Sequence, residues 1–133
     1  MRIILLAGEK GTGKTSTLKQ LYDKLTNGEK ENIREAKKEI LYGNNDFECI
    51  VSHSGKWVAI YSMGDYCEKV ITAIIKYAHL DVIVLACSTC FKEEIETEVR
   101  QNGFHLCIIE KTVPDDKDCA EIIVRIIAKI EEP

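Results

Sequence analysis

The chain has 133 residues, 45% of them hydrophobic and 30% charged, which is the length and balance of one globular domain with a single core. It carries 22 acidic against 18 basic residues, for a formal charge of −4. Lys and Arg are scattered instead of gathered into a stripe, which argues against a nucleic-acid backbone as the main partner. No apolar run approaches the roughly 18 residues that a membrane span needs, so no membrane partner is expected.

The first element is RIILLA (2–7), a short apolar run of the buried-strand type. It is too short for the core of a signal peptide and leads into a Gly-rich loop with no small-residue cleavage site. A cytoplasmic protein is therefore expected, with Cys49, Cys67, Cys87, Cys90, Cys107 and Cys119 as reduced thiols. Residues 15–25 follow with Leu18, Leu21, Tyr22 and Leu25 at helical spacing, and Asn27-Gly28 ends that helix. Residues 29–41 carry a thin apolar stripe on a charged background and predict a short surface helix, closed by the turn residues GNND (43–46).

FECIVSH and KWVAIYS, separated by Ser54-Gly55, predict an antiparallel hairpin. Residues 66–78 predict a helix, DVIVLAC (81–87) a strand buried on both faces, and residues 91–101 a Glu-rich helix stopped by Asn102-Gly103. FHLCIIE (104–110) is the last expected strand, and residues 116–130 are the closing helix. Neither a linker nor a repeat divides the chain, so residues 1–133 read as one domain. Alternating strands and helices predict an α/β three-layer sandwich with a mostly parallel five-stranded sheet and helices on both faces. Counting the expected strands in chain order, the sheet order is 2-3-1-4-5, with the second strand as an antiparallel edge.

Between the first strand and the first helix stands GEKGTGKT, residues 8–15, which fits G-x-x-x-x-G-K-[ST]. Successive backbone N–H groups in such a loop point inward and cradle phosphate oxygens, and the helix behind them adds its positive end. Gly8, Gly11 and Gly13 permit the backbone angles and close approach. Glu9, Lys10, Thr12 and Ser16 belong to the cradle, Lys10 and Thr12 mainly through main-chain N–H. Lys14 reaches the β- and γ-phosphates, and Thr15 offers its hydroxyl to Mg²⁺.

The motif and the order of elements resemble the P-loop NTPases, and the hairpin ahead of a Gly is most similar to the small G-protein layout. In specific residues the resemblance covers only the Walker A stretch. It implies a Mg²⁺-dependent triphosphate site. G proteins carry D-x-x-G at the end of the strand that here reads KWVAIYS. This chain has YSMG, so Tyr61 stands in the Asp position. The guanine-reading N-K-x-D is replaced by ACSTC, which makes ATP the expected nucleotide and GTP the less favoured one.

Asp65, directly after Gly64, is the expected catalytic and Mg²⁺-side carboxylate beside Lys14; its other reading is an N-cap of the following helix, with Glu68 completing a capping box. If Asp65 is only a cap, the acid has to come from Glu9, Asp46 or a partner. Ser62 is a weaker candidate for a metal-bound water. Ser88 and Thr89, and the loop 111–115 with Lys111 laid over the ring, are candidate walls of a base pocket. Cys87-Ser88-Thr89-Cys90 lacks the further ligands of a zinc site. His53, His79 and His105 fall at the pole away from the loop, and Trp57 reads as packing.

Three functions are compatible with this pattern: a small ATPase or nucleotide-dependent switch, a small-molecule or nucleotide kinase, and a non-catalytic nucleotide-binding module. The polar segment 29–46 lies where G proteins carry their first switch and is the expected contact for a protein partner. Arg34 is the one arginine placed in sequence to meet a second substrate.

Overall fold

The computed structural model describes residues 1–27, 39–40 and 46–133. In chain order these form β1 (Arg2–Gly8), α1 (Lys14–Asn27), β2 (Glu39–Ile40), β3 (Phe47–His53), β4 (Lys56–Tyr61), α2 (Cys67–Lys76), β5 (Val82–Ser88), α3 (Lys92–Gln101), β6 (His105–Glu110) and α4 (Asp116–Glu131). One turn of 3₁₀ helix, Thr89–Phe91, leads into α3. The first switch-like segment and Arg34 lie outside the described residues, apart from Glu39, Ile40 and Asp46. Glu39 and Ile40 are strand, not the end of a surface helix.

The strands make one sheet in the order β2-β3-β4-β5-β1-β6. β1 runs parallel to β5 on one side and β6 on the other, β4 runs parallel to β5, and β3 is antiparallel to both β4 and β2. This corrects the expected order and strand count. β4 pairs with β5 and not with β1, β6 pairs with β1 and not with β5, and β2, a sixth strand, covers the edge that β3 was expected to form. The central place of β5 suits its sequence: from Val82 to Cys87 every residue is buried, so both its faces and both its edges are covered.

Alternation along the strands divides the core into two layers. Ile4, Leu6, Val84 and Ile60 face α1 and α4, against Leu18, Leu21, Ile122 and Ile126. Ile3, Leu5, Ile83 and Leu85 face α2 and α3, against Val70, Ile74, Ile95 and Val99. The result is an α/β fold with two helices on each face of a mixed sheet.

Local chemistry sets the boundaries. Ser54 and Gly55 both have positive φ, 52° and 77°, the backbone of a two-residue hairpin turn that matches strand twist. α3 closes with Gly103 at φ 72°, where Gly103 N donates to Arg100 O and Phe104 N to Val99 O, a Schellman stop. Asp115 caps α4 by accepting from Asp118 N. At the far end of α4, Arg2 donates to the carbonyls of Lys129 and Glu132, and Lys56 to that of Ile130. Two cations thus meet carbonyls that helix geometry leaves without partners. That end lies beside the β3–β4 turn, where His53 Nε2 is 3.0 Å from Glu131. The carboxyl ends of β1, β5 and β6, and the loop after β1, form the opposite pole.

Candidate functional site

β1 is buried from Ile3 to Gly8 and ends against β6: Lys111 N donates to Ala7 O at 2.8 Å. A Cβ at Gly8 would lie 2.5 Å from Lys111 O and 2.7 Å from Thr12 Oγ1, so only glycine lets the chain turn there. Gly11 and Gly13 take φ of 85° and 86° and reverse the backbone into α1. Inside this reversal Thr12 folds back, its Oγ1 donating to Glu9 O at 2.7 Å.

The amides beyond it run out of acceptors. Thr17 N reaches Gly13 O at 2.9 Å, yet no described residue accepts from the amides of Gly11, Gly13, Lys14, Thr15 or Ser16. They are the orphan donors of a helix N-terminus, extended by the loop. A Cβ at Gly11 would meet nothing within 4 Å, so the space above the loop is open. Amides without an acceptor among the described residues, at the positive end of a 14-residue helix, suit an anion.

Lys14 bridges this loop. Its Nζ donates to Gly8 O at 2.7 Å and Glu9 O at 2.9 Å. Burial pushes its pKa down, opposed by the nearby carboxylates of Asp65 and Asp46. Asp65 thus shares the neighbourhood of Lys14 although β4 is not adjacent to β1. The chain reaches it by crossing the end of β5: Ser88 N donates to Gly64 O at 2.9 Å, and a Cβ at Gly64 would lie 2.6 Å from the carbonyl of Ala86. The capping role expected for Asp65 is not found. α2 starts at Cys67 with Tyr66 as its N-cap and no side-chain cap bond, and Asp65 is exposed.

Thr15 Oγ1 donates to Asp46 Oδ1 at 2.9 Å, and Ser62 Oγ donates to the same oxygen at 3.1 Å. Ser62 Oγ in turn accepts from Phe47 N at 2.8 Å. Asp46 had only its place in a turn-rich stretch to mark it. Its contact with Thr15 spans 31 positions, and local composition carries no trace of it.

Beside the loop lies a cleft of about 250 Å³. Gly8, Glu9 and Thr12 form one wall, and Thr89 after β5, Glu110 at the end of β6, and Lys111 and Thr112 in the loop after it form the other. The two loops expected to share a pocket do so. Lys111 differs from expectation. Its side chain is fully buried, with Nζ 2.8 Å from Asp118 Oδ2 and bonded to Val113 O, and its stem packs under Gly13. It braces the loop from below and is not poised to cover a ring.

Cys87, next to the end of β5, has its thiol pushed up to about 12 by burial, and it donates to Ser88 O. A buried neutral thiol is a poor nucleophile and metal ligand. Among the described residues no three His, Cys, Asp or Glu side chains are grouped to hold a metal ion by themselves. No helix of the described residues is long and apolar enough to cross a membrane. Comparison with protein-family models, curated proteins and solved structures returned no match.

The crossing at Gly64 generates a test. Gly64→Ala must push the 62–65 segment off the end of β5, because the obstacle is backbone. We expect a loss of roughly 1–3 kcal/mol, read as a lower midpoint in urea. A midpoint equal to wild type contradicts the close approach.

Proposed function

We propose that this chain binds a nucleoside triphosphate with Mg²⁺ and hydrolyses its terminal phosphoanhydride bond, as a small ATPase or nucleotide-dependent switch of the P-loop type. The observation that carries this reading is the set of amides of Gly11, Gly13, Lys14, Thr15 and Ser16 at the start of α1, which have no acceptor among the described residues.

The residues present fit both groups. For the phosphates there are the free amides, the helix N-terminus and one buried ammonium. Lys14 now spends its protons on two carbonyls of the loop itself. A phosphate oxygen at the cradle offers a charged acceptor instead, and such bonds are about twice as strong as neutral ones. For Mg²⁺ there are hard oxygen donors, the Thr15 hydroxyl and the Asp46 carboxylate beside it. Mg²⁺ typically binds one or two carboxylates plus substrate phosphates, not an all-protein cage. When bound, it supplies charge neutralisation of the phosphate oxygens.

The cleft is smaller than the ~300–1,000 Å³ of sites that enclose a drug-sized ligand, so it takes one end of the nucleotide, the base side. Two carboxylates line it, Glu9 and Glu110, and Glu110 is engaged by Lys92 at 3.0 Å. The Lys92 pairing engages the one acid at the end of β6 that could face a guanine edge, which supports ATP as the ligand. Asp65 lies on the exposed crossing beside Lys14, where a carboxylate can orient the attacking water. Among the described arginines, Arg2 is engaged on the end of α4 and Arg100 on Glu96, both away from the cleft, which supports hydrolysis over transfer.

Three outcomes follow. Lys14→Ala lowers ATP affinity by about tenfold or more, since the lost contact is charge-assisted. Calorimetry that finds equal affinity in wild type and variant contradicts the reading. In competition binding, ATP displaces GTP at least as well as the reverse. A clear preference for GTP assigns the purine edge to Glu110 freed from Lys92. Asp65→Asn lowers kcat by roughly 10²-fold with little change in ATP affinity or melting temperature, because the side chain caps no helix. Turnover at the wild-type level removes Asp65 from the chemistry.

A further inference from the structure

The sequence leaves a gap at the end of β4: the acid that the P-loop pattern places there is Tyr61. Tyr61 cannot be restored to that role by rotation, because its side chain is buried in the layer under α2 and α3. Asp65, further along, is exposed, and its charge acts on the Lys14 ammonium. No described hydrogen bond joins Asp65 to Thr15.

Asp46 has one. It stands just before β3, on the residue that enters the sheet, and is only 9% exposed. Its described hydrogen bonds come from two hydroxyls, and no described Lys, Arg or His pairs with it within salt-bridge distance. Both bonds fall on Oδ1, and no described residue donates to Oδ2. Its described donors are neutral hydroxyls, and the Lys14 ammonium acts on it through space without a described ion pair, so the carboxylate can take a cation.

Directionality adds to this. Phe47 N occupies one lone pair of Ser62 Oγ, so the Ser62 proton goes to Asp46. The single proton of Thr15 goes there too, which turns the lone pairs of Thr15 away from Asp46 and leaves them as ligands. Ser62 N also donates to Phe47 O at 3.0 Å, carrying the β3–β4 ladder one step past Tyr61 and fixing both ends of the network.

We infer that Asp46 is the acid of the magnesium site, delivered from the start of β3 in place of an acid at the end of β4, with Ser62 as its positioning residue. The inference rests on the triphosphate reading above and divides the two carboxylates: Asp46 and Thr15 serve the metal, and Asp65 stays with Lys14.

The test is ATP binding by calorimetry, with Mg²⁺ and with EDTA, on wild type, Asp46→Asn and Ser62→Ala. Asn keeps the oxygen that accepts from Thr15 and Ser62 and loses only the charge. Wild type should bind ATP more tightly with Mg²⁺. Asp46→Asn should lose roughly tenfold or more in apparent Mg²⁺ affinity while keeping the affinity measured in EDTA. Ser62→Ala keeps the carboxylate but not its orientation, and should raise the half-saturating Mg²⁺ concentration by roughly tenfold. If Asp46→Asn does not fold, the Ser62→Ala titration decides alone.

Wild-type Mg²⁺ dependence in both variants overturns the assignment and leaves Asp46 as a tie between β3 and α1. In that case ATP binding itself, and the proposed function, stand. A wild-type chain that binds no ATP with or without Mg²⁺ overturns both.

Discussion

A strand that is covered on both faces and hydrogen-bonded along both edges has nowhere to leave the sheet except at its end. β1 is such a strand, flanked by β5 and β6 over its whole length. Its exit must turn sharply enough to start α1 under the same layer, and the turn leaves consecutive amides with no carbonyl to meet. Much of the site follows from that shortage. The glycines are where the turn is tightest, Lys111 and Asp118 brace it from below, and Lys14 meets two of its carbonyls.

The same constraint gives the loop two sets of partners. In the state described here Lys14 satisfies Gly8 and Glu9, an internal arrangement that costs a buried ammonium. A phosphate, on the proposed function, would exchange those bonds for stronger ones and engage the amides that have no described acceptor. Carboxylates reach the loop from two directions. Asp65 comes across the end of β5 on the segment anchored at Gly64, and Asp46 comes from the entry to β3. Neither path is a direct continuation of a strand next to β1. Strand order therefore decides which residues can assemble here.

That order was the least legible part of the fold. Each apolar run announced a strand, and Asn102-Gly103 announced the end of α3 at the position found. A run such as KWVAIYS states that it is buried, not which neighbour buries it, and hydrogen bonds between parallel strands are blind to side-chain identity. One clue was present. DVIVLAC is apolar without interruption and belongs at the centre, whereas KWVAIYS begins with a Lys that ends up serving the carbonyls of α4. Capping failed for a related reason. Asp65 and Glu68 have the spacing of a capping box, but the crossing of β5 sets the backbone at 64–65 and moves the helix start one residue on. The glycine-rich loop was legible because all its determinants lie within eight residues. Asp46 and the burial of Lys111 depend on contacts made only after folding.

The central claim is that the amides between Gly11 and Ser16 hold the phosphates, and their own resonances report on it most directly. In a ¹H–¹⁵N spectrum of the labelled chain titrated with ATP and Mg²⁺, the largest shifts should fall on Gly11, Gly13, Lys14, Thr15 and Ser16. The same titration with adenosine should leave those five resonances in place and move only those of the cleft wall. Shifts confined to other surfaces, or none at saturating ATP, would contradict the account.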